Sequence, residues 1–166
     1  MKALFIGRFQ PFHKGHLHVL KFISNQYDEI IIGIGSSQYK NKIDNPFSED
    51  ERKKMIVNSF EKNQIKNYKI VPIPDIHDPP NWVAHVLNFV NDFDIVISHN
   101  SLTLKLFSEK GFKTVIVPTF KKEKYSGRNI RDRMRKGLDW EDLVPESVVS
   151  VIKEINGVKR LKEISK

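Results

Sequence analysis

The sequence predicts an α/β domain: a five-stranded parallel sheet with helices on both faces and a helical C-terminal tail. Three observations carry that reading. Five short apolar runs each stop at a glycine, proline or polar turn. Between them lie segments whose apolar residues recur at helical spacing, and strands alternating with helices pair in parallel. The 166 residues contain no repeat, low-complexity tract or linker, which fits one domain spanning 1–166.

ALFI (3–6) ends in Gly7 and reads as a buried strand. From His16 to Gln26, Leu17, Leu20 and Ile23 fall at three-residue steps, with Val19 and Phe22 beside them, which predicts a helix. EIIIGIG (29–35) is the second strand. In SEDERKKMIVNSF, Ser48 stands three before Glu51; that spacing is a capping box, so a helix starts there. YKIVPI (68–73) is the third strand, and Trp82, Val83, Val86, Leu87 and Val90 form the next helical face. DIVIS (94–98) is the fourth strand. Leu102 to Lys110 is a helix stopped by Gly111. KTVIV (113–117), the fifth strand, ends at Pro118. Residues 1–120 thus form the α/β core, and 121–166 a basic loop and helices punctuated by Gly137 and Gly157.

The chain has no cysteine, which removes thiolate catalysis, disulfides and thiolate-held zinc. No stretch approaches the ~18 apolar residues of a membrane span, and the N-terminal apolar run is too short for a signal peptide. The expectation is a soluble cytoplasmic protein that does not engage a membrane. A net charge of +8 points to an anionic ligand, nucleic acid or nucleotide phosphate.

The loop GRFQPFHKGHL (7–17) leaves the carboxyl end of the first strand, the edge where open α/β sheets bind ligands. It opens a helix whose free N–H groups attract anions. His13 and His16 stand three apart with Gly15 between them, a spacing that aims two rings at one point and lets a phosphate approach the backbone. Two imidazoles can bind metal, exchange protons or donate to phosphate. Zinc needs a third ligand, and none stands at useful spacing. No GxSxG nucleophile elbow occurs. Phosphate needs only donors, which Arg8, Lys14 and the helix amides supply.

HKGH fits the HxGH signature of the nucleotidyltransferase superfamily, and GRFQPFHKGH resembles the opening of archaeal-type nicotinamide-nucleotide adenylyltransferases. The resemblance implies a Rossmann-like nucleotidyltransferase fold, with Gly7, Arg8, Phe9, Gln10 and Gly15 at ATP. The superfamily carries a second motif, a serine at a helix start followed by an arginine. YSGRNIRDRM matches it with Ser126, Gly127 and Arg131. Arg133 and Arg135 are expected to be solvated, and 121–124 to form a lid over the phosphates. NPFSEDER (45–52) resembles the segment whose arginine serves substrate phosphate, which assigns Arg52 to the acceptor nucleotide. Trp82 matches the tryptophan near the nicotinamide ring, although DIHDPPNW has Pro79 where the family has an asparagine. SHNSL resembles the family's SGNPL near the adenosine, with Asn100 retained and His99 in place of glycine. GIGSSQ is not a GxGxxG fingerprint, since Gln38 stands at the last glycine and no helix follows directly. LVPESVVSVIKEINGVKRL (143–161) resembles the family's C-terminal helix.

The implied reaction is transfer of AMP from ATP to nicotinamide mononucleotide, giving NAD and pyrophosphate. His13, His16 and Arg131 are the implied catalytic residues, with magnesium carried mainly by ATP and no protein metal site. The resemblance further implies a homo-oligomer, a hexamer by family habit, and no nucleic-acid partner. Alternatives are a pantetheine-phosphate adenylyltransferase, a cytidylyltransferase, or a basic nucleic-acid-binding module.

Overall fold

The computed structural model describes residues 1–166. Five parallel strands run β1 (Lys2–Gly7), β2 (Glu29–Gly35), β3 (Tyr68–Ile73), β4 (Ile95–Ser98) and β5 (Lys113–Ile116). Their order across the sheet is β3-β2-β1-β4-β5. The chain builds outward from β1 to β3, then returns to the other side of β1 for β4 and β5. The order therefore reverses between β1 and β4, and a crevice opens at their carboxyl ends.

Successive side chains of β1 point to opposite faces, so each face needs its own helical cover. Phe5 joins the larger core with Ile30, Ile32 and Ile97. That core is covered by α1 (Lys14–Ser24), α2 (Glu49–Lys62), α5 (Gly127–Lys136), α6 (Glu146–Glu154) and α7 (Gly157–Ile164). Leu4 points the other way, among Ile31, Ile73 and Val96. Val83 and Val86 of α3 (Trp82–Leu87) and Leu104 and Phe107 of α4 (Ser101–Glu109) close that side. No helix is long and apolar enough to cross a membrane.

Local signals explain most boundaries. Ser48 Oγ accepts from the Glu51 amide at 3.2 Å while Glu51 Oε1 accepts from the Ser48 amide at 2.8 Å, the capping box expected at α2. Helix α1 starts at Lys14 rather than His16 because His13 serves as its N-cap. Helix α3 stops at Leu87, short of Val90, whose side chain is buried beyond its end.

The single helix expected over 143–161 is two. Asn156 takes a left-handed conformation at φ 54° and separates α6 from α7, and Gly157 opens α7 rather than ending a helix. The bend turns Leu161 back into the larger core. It also brings Arg160 onto Glu51, with two charge-assisted bonds of 2.6 and 2.7 Å. The C-terminal helices thus brace the start of α2.

Candidate active site

The first loop is built so that its two histidines hold each other. The His16 amide donates to His13 Nδ1 and the His13 amide donates to His16 Nδ1, both at 3.2 Å. An imidazole nitrogen that accepts a backbone N–H carries no proton, so each neutral ring is the Nε2–H tautomer. The rings stack with centroids 3.6 Å apart, and His16 also packs against Phe9 and Phe12. Burial, reinforced by His99, pushes His13 down to about 3. Burial and the neighbouring His13 and His99 hold His16 well below the usual imidazole range. Two uncharged donors are therefore fixed side by side at the start of α1.

Phe9 underlies this arrangement. Its backbone is left-handed, φ 53°, and its ring is almost fully buried. Such a conformation costs on the order of 1–3 kcal/mol in a non-glycine residue and persists where packing holds it. Gln10 donates to the Phe47 carbonyl and accepts from its amide, both at 2.9 Å, tying the loop to the approach to α2.

The second motif meets the first directly. Ser126 caps α5 by accepting from the Asn129 amide. One turn on, Arg131 Nη1 donates to the Gln10 carbonyl at 2.7 Å across 121 residues of sequence. Gly127 leaves the space this contact needs: a Cβ there would lie 2.7 Å from Arg131 Nη1 and 3.0 Å from the Gln10 oxygen. Gly15 plays the same part on the facing side, where a Cβ would stand 3.0 Å from the His13 ring and from Tyr125 Cβ.

His13, His16, Gln10, Ser126, Gly127 and Arg131 line a cleft of about 730 Å³ together with Arg8, Arg128, Arg135, Asp44 and Asp132. Four guanidinium groups face two carboxylates, so the cleft suits an anion. Asp132 is engaged by Arg135, and Asp44 Oδ1 lies 3.9 Å from Arg131 Nη2. Burial, with repulsion from Arg8, lowers Arg131 to about 10, which leaves it charged at neutral pH.

A second cleft of about 480 Å³ shares Arg8 and extends across the sheet edge to Gly7, Ser98, Asn100 and Trp82. Asn100 caps α4, accepting from the Leu102 and Thr103 amides. A smaller cavity of about 180 Å³ adjoins the histidines and is bounded by Gly15, His99, Phe120, Lys122 and Tyr125. Lys122 sits in a turn closed by the Lys124 and Tyr125 amides on the Lys121 carbonyl.

Two placements depart from the sequence reading. Arg52 lines neither principal cleft. It is fully buried, and its guanidinium donates to the carbonyls of Ser48, Arg8, Gly35, Ser36, Ser37 and Tyr39. Every N–H is spent on backbone, so Arg52 pins the ends of β1 and β2 rather than presenting a charge to phosphate. Arg135, expected to be solvated, lines the anion cleft. It lies four residues after Arg131, on the same face of α5. That spacing was readable in the sequence; Asp44, in an aperiodic loop, gave no such signal. Arg133 is likewise half-buried and donates to the Asp139 carbonyl.

A crevice at the strand-order reversal, paired HxGH imidazoles and a serine-capped helix carrying an inward arginine together define a nucleotidyltransferase. In agreement, residues 4–133 match the family described as cytidylyltransferase-like. The chain is 47% identical over 166 residues to the nicotinamide-nucleotide adenylyltransferase of Pyrococcus horikoshii, covering 99% of this chain and 89% of that one. It is 45% identical over 170 residues to that of Archaeoglobus fulgidus, covering 99% and 98%. The chain belongs to the family of archaeal-type nicotinamide-nucleotide adenylyltransferases. A solved bifunctional NMN adenylyltransferase/ADP ribose pyrophosphatase from Francisella tularensis, complexed with AMP and a manganese ion, shares the fold at a TM-score of 0.79 and 24% identity. The match covers 98% of this chain and 52% of that one, so the chain spans about half of the bifunctional protein.

Proposed function

We propose that this protein transfers AMP from ATP to nicotinamide mononucleotide, releasing NAD and pyrophosphate. The observation that carries the reading is the 2.7 Å bond between Arg131 and Gln10, which joins the two phosphate motifs at one cleft. The acceptor's 5′-phosphate oxygen attacks the α-phosphorus in line. A new P–O bond forms as the bond to the β,γ-unit breaks, and pyrophosphate leaves on the opposite side. A phosphate oxygen is already a nucleophile at neutral pH, so no general base is required, and catalysis is alignment plus charge neutralisation.

His13 and His16 donate through Nε2 to α- and β-phosphate oxygens. Both rings donate as neutral imidazoles, since each Nδ1 already accepts a backbone N–H, and the Nε2 bonds strengthen as negative charge accumulates on the phosphate oxygens. Arg131 and the helix N-terminus at Ser126 and Gly127 hold the leaving pyrophosphate. Arg8, common to both clefts, sits where the two substrates' phosphates meet. Gly7, Phe9, Gln10 and Gly15 shape the loop around ATP, Asn100 faces the nucleoside side, and Trp82 offers a flat face to the cationic pyridinium ring.

The donor set around the triphosphate cleft fits magnesium that arrives on ATP. Asp44 and Asp132 are the only carboxylates there, both beside arginines, and no group of three or more metal-ligating side chains occurs. Such an ion supplies charge neutralisation on the triphosphate.

Residues 1–166 act as one nucleotidyltransferase domain, with 121–124 serving as a lid beside the small cavity. Family resemblance favours a homo-oligomer, a hexamer, and the cysteine-free composition a cytoplasmic location. The test of the activity is incubation of the pure protein with ATP, magnesium and nicotinamide mononucleotide, with NAD as the expected product. Pyrophosphate release only with pantetheine phosphate or with CTP would replace this reading with one of its relatives.

A further inference from the structure

We infer that Asp75 and Asp78 make the acceptor cleft discriminate by charge, favouring a pyridinium nucleotide with a neutral ring substituent over one bearing a carboxylate. The inference rests on the activity proposed above. Its basis is the contrast between the clefts: the first is lined by four arginines, while the second carries Asp75 and Asp78 near Trp82 and has Arg8 as its one guanidinium.

The two carboxylates are held in place. The Asp75 backbone is clasped by Gln38, whose amide group donates to its carbonyl at 2.8 Å and accepts from its N–H at 2.9 Å. Asp75 Oδ1 accepts from the His77 amide at 2.9 Å. Asp78 accepts from Asn81 Nδ2 at 2.6 Å, one residue before Trp82. The short turn Pro79–Asn81 leads straight into α3, which keeps Asp78 within a turn of the Trp82 ring. The His77 ring, which also faces this cleft, is engaged by Tyr39 at 2.5 Å and lies 3.6 Å from Asp75.

The acceptor's phosphate is drawn to Arg8, where the clefts join, so its ring extends toward Trp82. A positively charged pyridinium is attracted there by both carboxylates and by the aromatic face. A nicotinate carboxylate would bring a third negative charge into the same wall, and like charges in a partly desolvated site are strongly disfavoured. Asp78 occupies the segment where this chain departs from its family, DIHDPPNW.

The test compares kcat/KM for nicotinamide mononucleotide and nicotinic acid mononucleotide in the wild type and in Asp78→Asn and Asp75→Asn. The wild type is expected to prefer the amide at least tenfold. Each substitution is expected to lower the amide's kcat/KM and raise the acid's, narrowing the ratio about threefold or more. Equal use of the two acceptors by the wild type overturns the inference while leaving the proposed activity intact. So does a change of the same sign for both acceptors, which marks the aspartates as loop-shaping only. Absence of adenylyl transfer to either acceptor rejects the activity itself.

Discussion

Gly127→Ala separates catalysis from stability at one atom. The added Cβ would lie 2.7 Å from Arg131 Nη1, against about 3.4 Å for ordinary contact, and 3.0 Å from the Gln10 oxygen. The guanidinium must retreat by roughly 0.7 Å, and the Gln10 carbonyl, being backbone, can give only a few tenths. Retreat breaks or lengthens the 2.7 Å bond that sets Arg131 against the first loop. A displacement near 1 Å in a positioned catalytic group costs on the order of 10²-fold in rate. The fold should survive, because Gly127 has no left-handed backbone and alanine in a helix is favoured over glycine by up to about 1 kcal/mol. The expected result is kcat for NAD formation lowered by about 10²-fold, with a denaturation midpoint equal to or above wild type. A folded variant with wild-type kcat would show that the Arg131–Gln10 contact does not position the chemistry.

His16→Ala should lower turnover by ~10²-fold or more, the scale of losing one transition-state donor, with circular dichroism unchanged; near-normal turnover rejects the role. Arg52→Met should act on stability first, costing about 3–5 kcal/mol in denaturant titrations, because six backbone carbonyls lose their buried partner. A stable Arg52→Met protein with a raised KM for the acceptor alone would restore the phosphate role expected from the sequence. The paired histidines make the unliganded protein acid-sensitive. Unfolded imidazoles take up protons below about pH 6.5, whereas His13 in the fold resists until about 3 and His16 is held low as well. Stability present above pH 6.5 should fall as pH drops toward 3, by about 1.4 kcal/mol per pH unit for each ring. The double variant His13→Asn, His16→Asn should flatten that slope; an unchanged slope would mean that the rings titrate freely in the fold.

Helix α2 and the end of α5 were legible because their signals are local: the Ser48–Glu51 capping box and Gly137, which takes φ 68°. The three central strands were legible because their apolar runs can be buried only inside a covered parallel sheet, and the edge strands β3 and β5 as short β-branched runs bounded by polar turns and Pro118. The break at Asn156 was marked only by the punctuation of Gly157; that the segment resembling one C-terminal helix is two, with Leu161 and Arg160 docked back on the domain, was not legible. Arg52 was misread for a related reason. A sequence shows that an arginine is present, and not whether its donors meet solvent, substrate or six carbonyls.

The amino-acid order by itself determined the alternation of strand and helix, the loop that carries His13 and His16, and the serine that starts α5. Each follows from periodicity or capping between residues a few positions apart. Tertiary structure alone decided that Arg131 reaches Gln10 and that Arg8 stands where two clefts join. It also decided that one cleft is cationic and the other bears carboxylates. Those facts depend on which side of β1 each later strand joins, a choice made by burial of both sheet faces together and written in no short stretch of the chain.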